Sequence, residues 1–340
     1  MAFATRRIGT TGLVTTEYGF GGAPLGNMFR KIPETEVEAL LDGVWEAGFR
    51  FYDTAPYYGF GLSERRFGDG LRERPRDSYV LSTKVGRLLK PNAGDHPARQ
   101  EFWSPMPFEP VYDYSYDGVM RSFEHSLQRL GIDRIDVLLM HDIGRVTHGV
   151  RHEELFRIAM DGGAKALGEL RDQGVVQAIG LGVNEWEVCE AAMDFARWDC
   201  FLLAGRYTLL EQESLASFLP RCLKEQASVI VGGAYNSGVL ATGPVAGAHY
   251  NYAPAPQWVL DKVGRIEAVC RDHGVRLPAA ALAFPLTHPA VACVIPGMSR
   301  TTELAANLSI LDEAKRIPVA LWRDLKAAGL MREDAPVPTA

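Results

Sequence analysis

The sequence predicts a single closed (β/α)8 barrel spanning residues 1–340, with a β-hairpin ahead of its first strand and extra helices after its last. Three observations carry this. Short apolar strand-like runs alternate with helix-periodic segments from end to end, with no break in composition, linker or low-complexity stretch. Three of those runs stop at a titratable residue: Phe51-Tyr52 at Asp53, Tyr79-Val80-Leu81-Ser82-Thr83 at Lys84, and Ile135–Met140 at His141. The three longest connections all follow strands, which places them on the carboxyl face where barrel sites form.

Taken in order, Arg7–Leu13 with its Gly9-Thr10-Thr11-Gly12 turn reads as the hairpin, and a strand follows near Glu17–Gly21. Pro33-Glu34-Thr35-Glu36 opens a helix whose Val37, Leu40, Leu41 and Val44 keep helical spacing. Strand Phe51–Asp53 precedes helix Ser63–Leu71, and strand Tyr79–Thr83 precedes helix Asp117–Leu130. Strand Ile135–Met140 leads to helix Glu154–Asp172, and strand Val176–Leu181 to helix Glu185–Ala196. Strand Cys200–Leu203 is followed by helix Glu213–Glu225, and strand Ser228–Val231 by a helix over Trp258–His273. Pro278–Leu286 reads as one more helix. Strand Val291–Ile295, helix Thr302–Asn307 and an outer terminal helix Pro318–Ala328 complete the chain.

Tight βα loops run to about 2–6 residues, and three connections exceed that. They are Val85–Tyr116, Asp142–Glu153 and Gly232–Pro256. The first carries Phe102, Trp103, Phe108, Tyr112 and Tyr114, a composition that suits a mobile aromatic lid rather than disorder.

Bulk composition excludes several classes. Apolar residues make up 47% of the chain, enough for a large core without disulfide staples. The net charge is −6 with both signs interspersed, and no Lys/Arg block suits a phosphate backbone, so nucleic acid is not expected as a partner. Cys189, Cys200, Cys222, Cys270 and Cys293 lack metal-site spacing and read as reduced core thiols. The histidines show no ligand spacing either, so no metal is expected. No secretory leader or membrane-length apolar run is visible. The expectation is a soluble, cytoplasmic monomer or small homo-oligomer that acts on a small molecule.

Singly, the strand-end residues have ordinary readings: a core histidine, a lysine in a salt bridge, an Asp-Thr turn cap. Their joint occurrence points to proton transfer. A free phenol has a pKa near 10, too high for a base at neutral pH. An amine cation about 4 Å from Tyr58 would favour the phenolate by about 4 kcal/mol at an effective dielectric near 20. Lys84 is the candidate cation, and Asp53 would keep it charged while cancelling part of its field. His141 would orient the substrate oxygen.

The run Asp53-Thr54-Ala55-Pro56-Tyr57-Tyr58-Gly59, with Ser63-Glu64, Ser82-Thr83-Lys84 and Leu139-Met140-His141, resembles the aldo-keto reductases from the hairpin to Asn307. The resemblance implies a barrel that binds a nicotinamide dinucleotide, with Asp53, Tyr58, Lys84 and His141 as catalytic tetrad. It implies a stacking role for Tyr207 and a pyrophosphate-wrapping loop containing Tyr235, Asn236, Ser237, Gly238 and Leu240. It further implies an adenosine-phosphate segment with Gly297, Ser299 and Arg300, with Glu303 and Asn307 facing adenine. Arg300 tilts the expectation to NADP, with NAD the alternative. Gly180-Leu181-Gly182-Val183-Asn184 departs from the family's Gly-x-Ser-Asn, which shifts the carboxamide contact expected of Asn184.

Gly180–Trp186 and Tyr235-Asn236-Ser237-Gly238 are most similar to the branch that oxidises L-fucose and D-threo-aldoses, with pyridoxal 4-dehydrogenase similar to it. That implies oxidation at an anomeric carbon to a lactone with Tyr58 acting as base; from their position in the loops, Asp142, Asn236 and the Trp103 indole are the groups expected to read ring hydroxyls. The competing readings are a pyridoxal or general aldehyde enzyme, a Schiff-base lyase using Lys84, and a non-enzymatic cofactor-sensing barrel.

Overall fold

The computed structural model describes residues 3–92, 94, 98–99 and 101–338. Eight parallel strands form one sheet in sequence order: Phe20–Gly21, Phe51–Asp53, Val80–Val85, Val137–His141, Ala178–Val183, Cys200–Ala204, Ser228–Gly232 and Val291–Ile295. The first and last strands meet through the parallel bridges Tyr18 to Val294 and Gly21 to Gly297, which close the barrel. Thr5–Arg7 pairs antiparallel with Val14–Thr16 as the expected hairpin.

Strand side chains alternate between two environments because their period is two. Leu81, Leu138, Met140, Ile179, Leu181, Phe201 and Leu203 face outward and pack under the helices. Phe51, Val80, Val137, Ala178, Cys200 and Ile230 face inward at the amino ends of their strands, where Ile8 and Leu13 of the hairpin join them as a plug. The same inward phase carries Asp53, Lys84 and His141 at the carboxyl ends. All five cysteines are buried and unpaired.

Helices lie close to where periodicity places them, with five differences. The helix expected over Pro278–Leu286 is α over Leu277–Ala283 and then a 3-10 turn over Phe284–Thr287. The helix expected over Glu154–Asp172 holds a π turn at Ala159–Gly163, where Gly162 and Gly163 lie so close to the backbone at Tyr114–Tyr116 that a Cβ would collide. The helix expected over Glu213–Glu225 becomes a 3-10 turn and then Phe218–Glu225. The seven-residue Trp186–Ala192 is shorter than expected, and Thr301–Ala314 runs past the expected Asn307. Among the described residues no helix is long and apolar enough to cross a membrane.

Candidate active site

Asp53 and Lys84 meet inside the barrel mouth. Lys84 Nζ donates to Asp53 Oδ2 at 2.7 Å and to the Thr54 carbonyl at 2.9 Å, while Ser82 Oγ donates to Asp53 Oδ1 at 2.8 Å. Both side chains are almost fully buried. Burial pushes the Asp53 carboxyl up, and Lys84 and Ser82 oppose it. Room for the lysine comes from Gly182 on the facing strand, whose absent Cβ would stand 2.9 Å from Lys84 Cε.

Tyr58 follows the second strand and is partly buried on the wall of a cavity of about 240 Å³ at the carboxyl face. Lys84, His141, Asp142 and Asn184 line the same cavity. Lys84 Nζ lies over the Tyr58 ring, 4.9 Å from its centroid, and the His141 ring stands edge-on to it at 6.0 Å. A larger hollow of about 660 Å³ lies alongside and shares only Asn184 with this cavity; it contains none of the four strand-end and turn residues, so the smaller one is the candidate site.

Burial, then the carboxylates of Asp53 and Asp142, push the Tyr58 phenol well above the ordinary 10.0, and Arg87 opposes them. Lys84 donates to Asp53 Oδ2 and to the Thr54 carbonyl, and the Asp53 carboxylate stands second to burial among the causes of the rise. That direction favours the protonated phenol. His141 moves the other way: burial, with Arg87 and Lys84 nearby, holds the imidazole well below 6.5 and hence neutral. Among the described residues its Nδ1 has no hydrogen-bond partner, and its Nε2 lies 3.4 Å from Asp142 Oδ2.

On the side of the last two strands, the features suit a dinucleotide. Asn236, Ser237 and Gly238 have φ of 46°, 58° and 99°, and an added Cβ at Gly238 would meet nothing within 4 Å. Gly297 is exposed, and helix Thr301–Ala314 begins at exposed Arg300 without a side-chain cap. The helix dipole favours a phosphate there. The other expected contacts are occupied within the fold. Asn236 accepts from Thr208 and donates to Gly205 and Glu211. Asn307 is buried and accepts from the Tyr235 hydroxyl, Glu303 accepts from Ser299 N, and Leu240 is core.

Two assigned residues are displaced from the site. Tyr207 is 0% exposed, packed against Phe284 and His288 with ring centroids at 5.1 and 5.6 Å, so no face remains for stacking. Trp103 is 49% exposed and does not line the cavity. The expected lid is a paired hairpin, Arg87–Pro91 with Phe108–Tyr112, anchored by buried Phe102 and Tyr114. Residues 93, 95–97 and 100 of it lie outside the described set. The cavity also holds Tyr57, Arg87, Glu101, Tyr112 and Tyr252, none expected as site residues. Tyr57 lies inside the Asp53–Gly59 run beside Tyr58, and that position is a signal; the others sit in long connections whose paths periodicity does not set. Among the described residues no three His, Cys, Asp or Glu side chains are grouped to hold a metal.

A closed parallel barrel with a phenol, an amine–carboxylate pair and an imidazole at its carboxyl mouth is an arrangement suited to proton transfer. Residues 17–320 match the model of the aldo/keto reductase family, and the chain belongs to that family. It is 41% identical to the pyridoxal 4-dehydrogenase of Microbacterium luteolum, covering 96% of this chain and 97% of that one. It is 39% identical to the D-threo-aldose 1-dehydrogenase of a Pseudomonas species, covering 94% and 96%. In fold it is similar to the holo form of an aldo-keto reductase from Bacillus halodurans (TM-score 0.71, 24% identity, 93% and 95% covered). The glycerol dehydrogenase of Gluconobacter oxydans is similar too (TM-score 0.70, 20% identity, 100% of both chains). The chain is thus an NAD(P)-dependent oxidoreductase acting on a small molecule.

Proposed function

We propose that the chain oxidises an aldose of the L-fucose or D-threo type at its anomeric carbon, giving the lactone. The observation that carries this reading is the meeting of Tyr58, Lys84 and neutral His141 on one polar, aromatic-walled cavity. The bound nicotinamide would supply the hydride acceptor. Tyr58 takes the hydroxyl proton of the cyclic hemiacetal, and His141 Nε2 donates to the same oxygen and fixes its lone pairs. Lys84, anchored by Asp53, sets the field around the phenol and its hydrogen-bonding direction. Because Tyr58 is held protonated in the free protein, the base form is scarce at neutral pH, and the oxidation rate climbs with pH.

Pyridoxal is the second reading, favoured by the 41% relative. It closes on its own hydroxymethyl group to a cyclic hemiacetal, so its oxidation to a lactone needs the same proton path. Following reduced cofactor with L-fucose, D-arabinose and pyridoxal separates the two. Tyr58→Phe should lower the oxidation rate constant by about 10²–10⁴-fold with cofactor affinity nearly unchanged; retention of most of the parent rate would remove Tyr58 from the role. NADP is the dinucleotide proposed, read by the exposed Arg300. Arg300→Ala should then weaken NADP binding more than NAD binding in a titration, and equal losses would refute the assignment.

A further inference from the structure

The residue after His141 does not follow the strand's alternation. His141 points inward, so the next side chain should point outward, yet Asp142 lines the same cavity as His141. The reversal is made by a left-handed backbone at Asp142, φ 48°, a region that favours glycine. The Tyr114 hydroxyl lies 2.9 and 3.2 Å from the carbonyl oxygens of His141 and Asp142 and pins the turn. Two donors then fix the carboxylate: Arg87 Nη2 on Oδ2, and Asn184 Nδ2 on Oδ1 at 3.3 Å.

Arg87 is itself held tightly. Its guanidinium lies over the Tyr57 ring at 4.0 Å and near the Tyr112 ring at 5.1 Å, and among the described residues its buried Nε has no hydrogen-bond partner. Apolar residues would fill a purely structural position as well as a buried ion pair does, or better. A strained turn, a desolvated pair and an unpartnered donor on one cavity wall point to a ligand group.

We infer that Asp142, positioned by Arg87 and Asn184, recognises a hydroxyl on the carbon next to the reacting carbon, so that the substrate is an α-hydroxy carbonyl compound or its cyclic hemiacetal. This deepens the reading above and rests on His141 and Tyr58 holding the reacting oxygen. Asp142 Oδ2 is 3.4 Å from His141 Nε2. Neighbouring oxygens of a vicinal diol are separated by about one hydrogen-bond length, so an oxygen held at Nε2 brings the next hydroxyl against the carboxylate. A carboxylate accepts that hydroxyl's proton in a charge-assisted bond. Aldoses carry the hydroxyl at this position. Pyridoxal carries its phenol one carbon farther away, which favours the aldose.

The test uses two pairs that differ in this hydroxyl. D-Arabinose and 2-deoxy-D-ribose differ only at C2, and glycolaldehyde and propanal form the smallest pair, measured in the reductive direction. The wild type should favour the hydroxylated member of each pair by at least about 100-fold in kcat/KM, because a site built for a hydroxyl is left unpaired by the analogue. Asp142→Asn and Arg87→Lys should each shrink that ratio about tenfold or more, with the Arg87 effect falling on KM for the hydroxylated member. A wild-type ratio near one in both pairs overturns the inference without any variant. Unchanged ratios in the variants, or equal losses on both members, overturn it as well. If neither pentose is oxidised while glycolaldehyde is preferred to propanal, the aldose reading falls and the recognition of the neighbouring hydroxyl stands.

Discussion

The two ends of the barrel interior are built from the same strands in the same inward phase, and their chemistry is opposite. At the amino end Phe51, Val80 and Val137 close on Ile8 and Leu13 in a dry, apolar plug. Two or four residues further along the same strands stand Asp53, Lys84 and His141. The upper layer holds the buried Lys84–Asp53 ion pair, whereas the plug is built of apolar side chains. Strand ends converge there, and the connecting loops supply Tyr58, Arg87 and Asp142 to complete the wall. The comparison teaches that one end carries stability and the other carries chemistry at a cost in stability.

The largest way to break this division is Lys84→Met, which strands the Asp53 carboxylate. It should cost about 3–5 kcal/mol in denaturant unfolding and remove turnover. Adding Asp53→Asn should recover much of the stability and none of the turnover; recovery of both would show that the pair is a structural clamp. Next comes Leu13→Ala in the plug, which should lose about 2–5 kcal/mol while kcat stays within a factor of two. A large fall in kcat there would mean the two ends are coupled. The smallest effect sharpens the contrast from the site side. Gly182→Ala sets a methyl against Lys84 Cε and should cost about 1–3 kcal/mol with a measurable drop in kcat, although no titratable group is replaced. An unchanged rate would show that Lys84 tolerates displacement.

Much of the candidate site was legible because it lies on strands. Period-two alternation sends Asp53, Lys84 and His141 to one interior face, and the apolar runs announce where each strand stops. The loops were less legible. Tyr207 was read as a stacking residue from its local motif, yet Phe284 and His288, far along the chain, bury it completely. The aromatics of the long connection suggested a free lid, and strand pairing between Arg87–Pro91 and Phe108–Tyr112 holds them instead. Arg87 gave no signal, since a lone arginine after Gly86 is ordinary until Asp142, Tyr57 and Tyr112 are seen around it.

Sequence alone determined the strand–helix alternation, the closed barrel and the three strand-end groups, because hydrophobic period is a local property that burial enforces one strand at a time. Only the tertiary structure decided the direction of the Tyr58 shift, the inward turn of Asp142 and the loss of Tyr207 from the site. Those depend on desolvation and on charges and rings brought together from distant parts of the chain, and desolvation has no value until the fold excludes water.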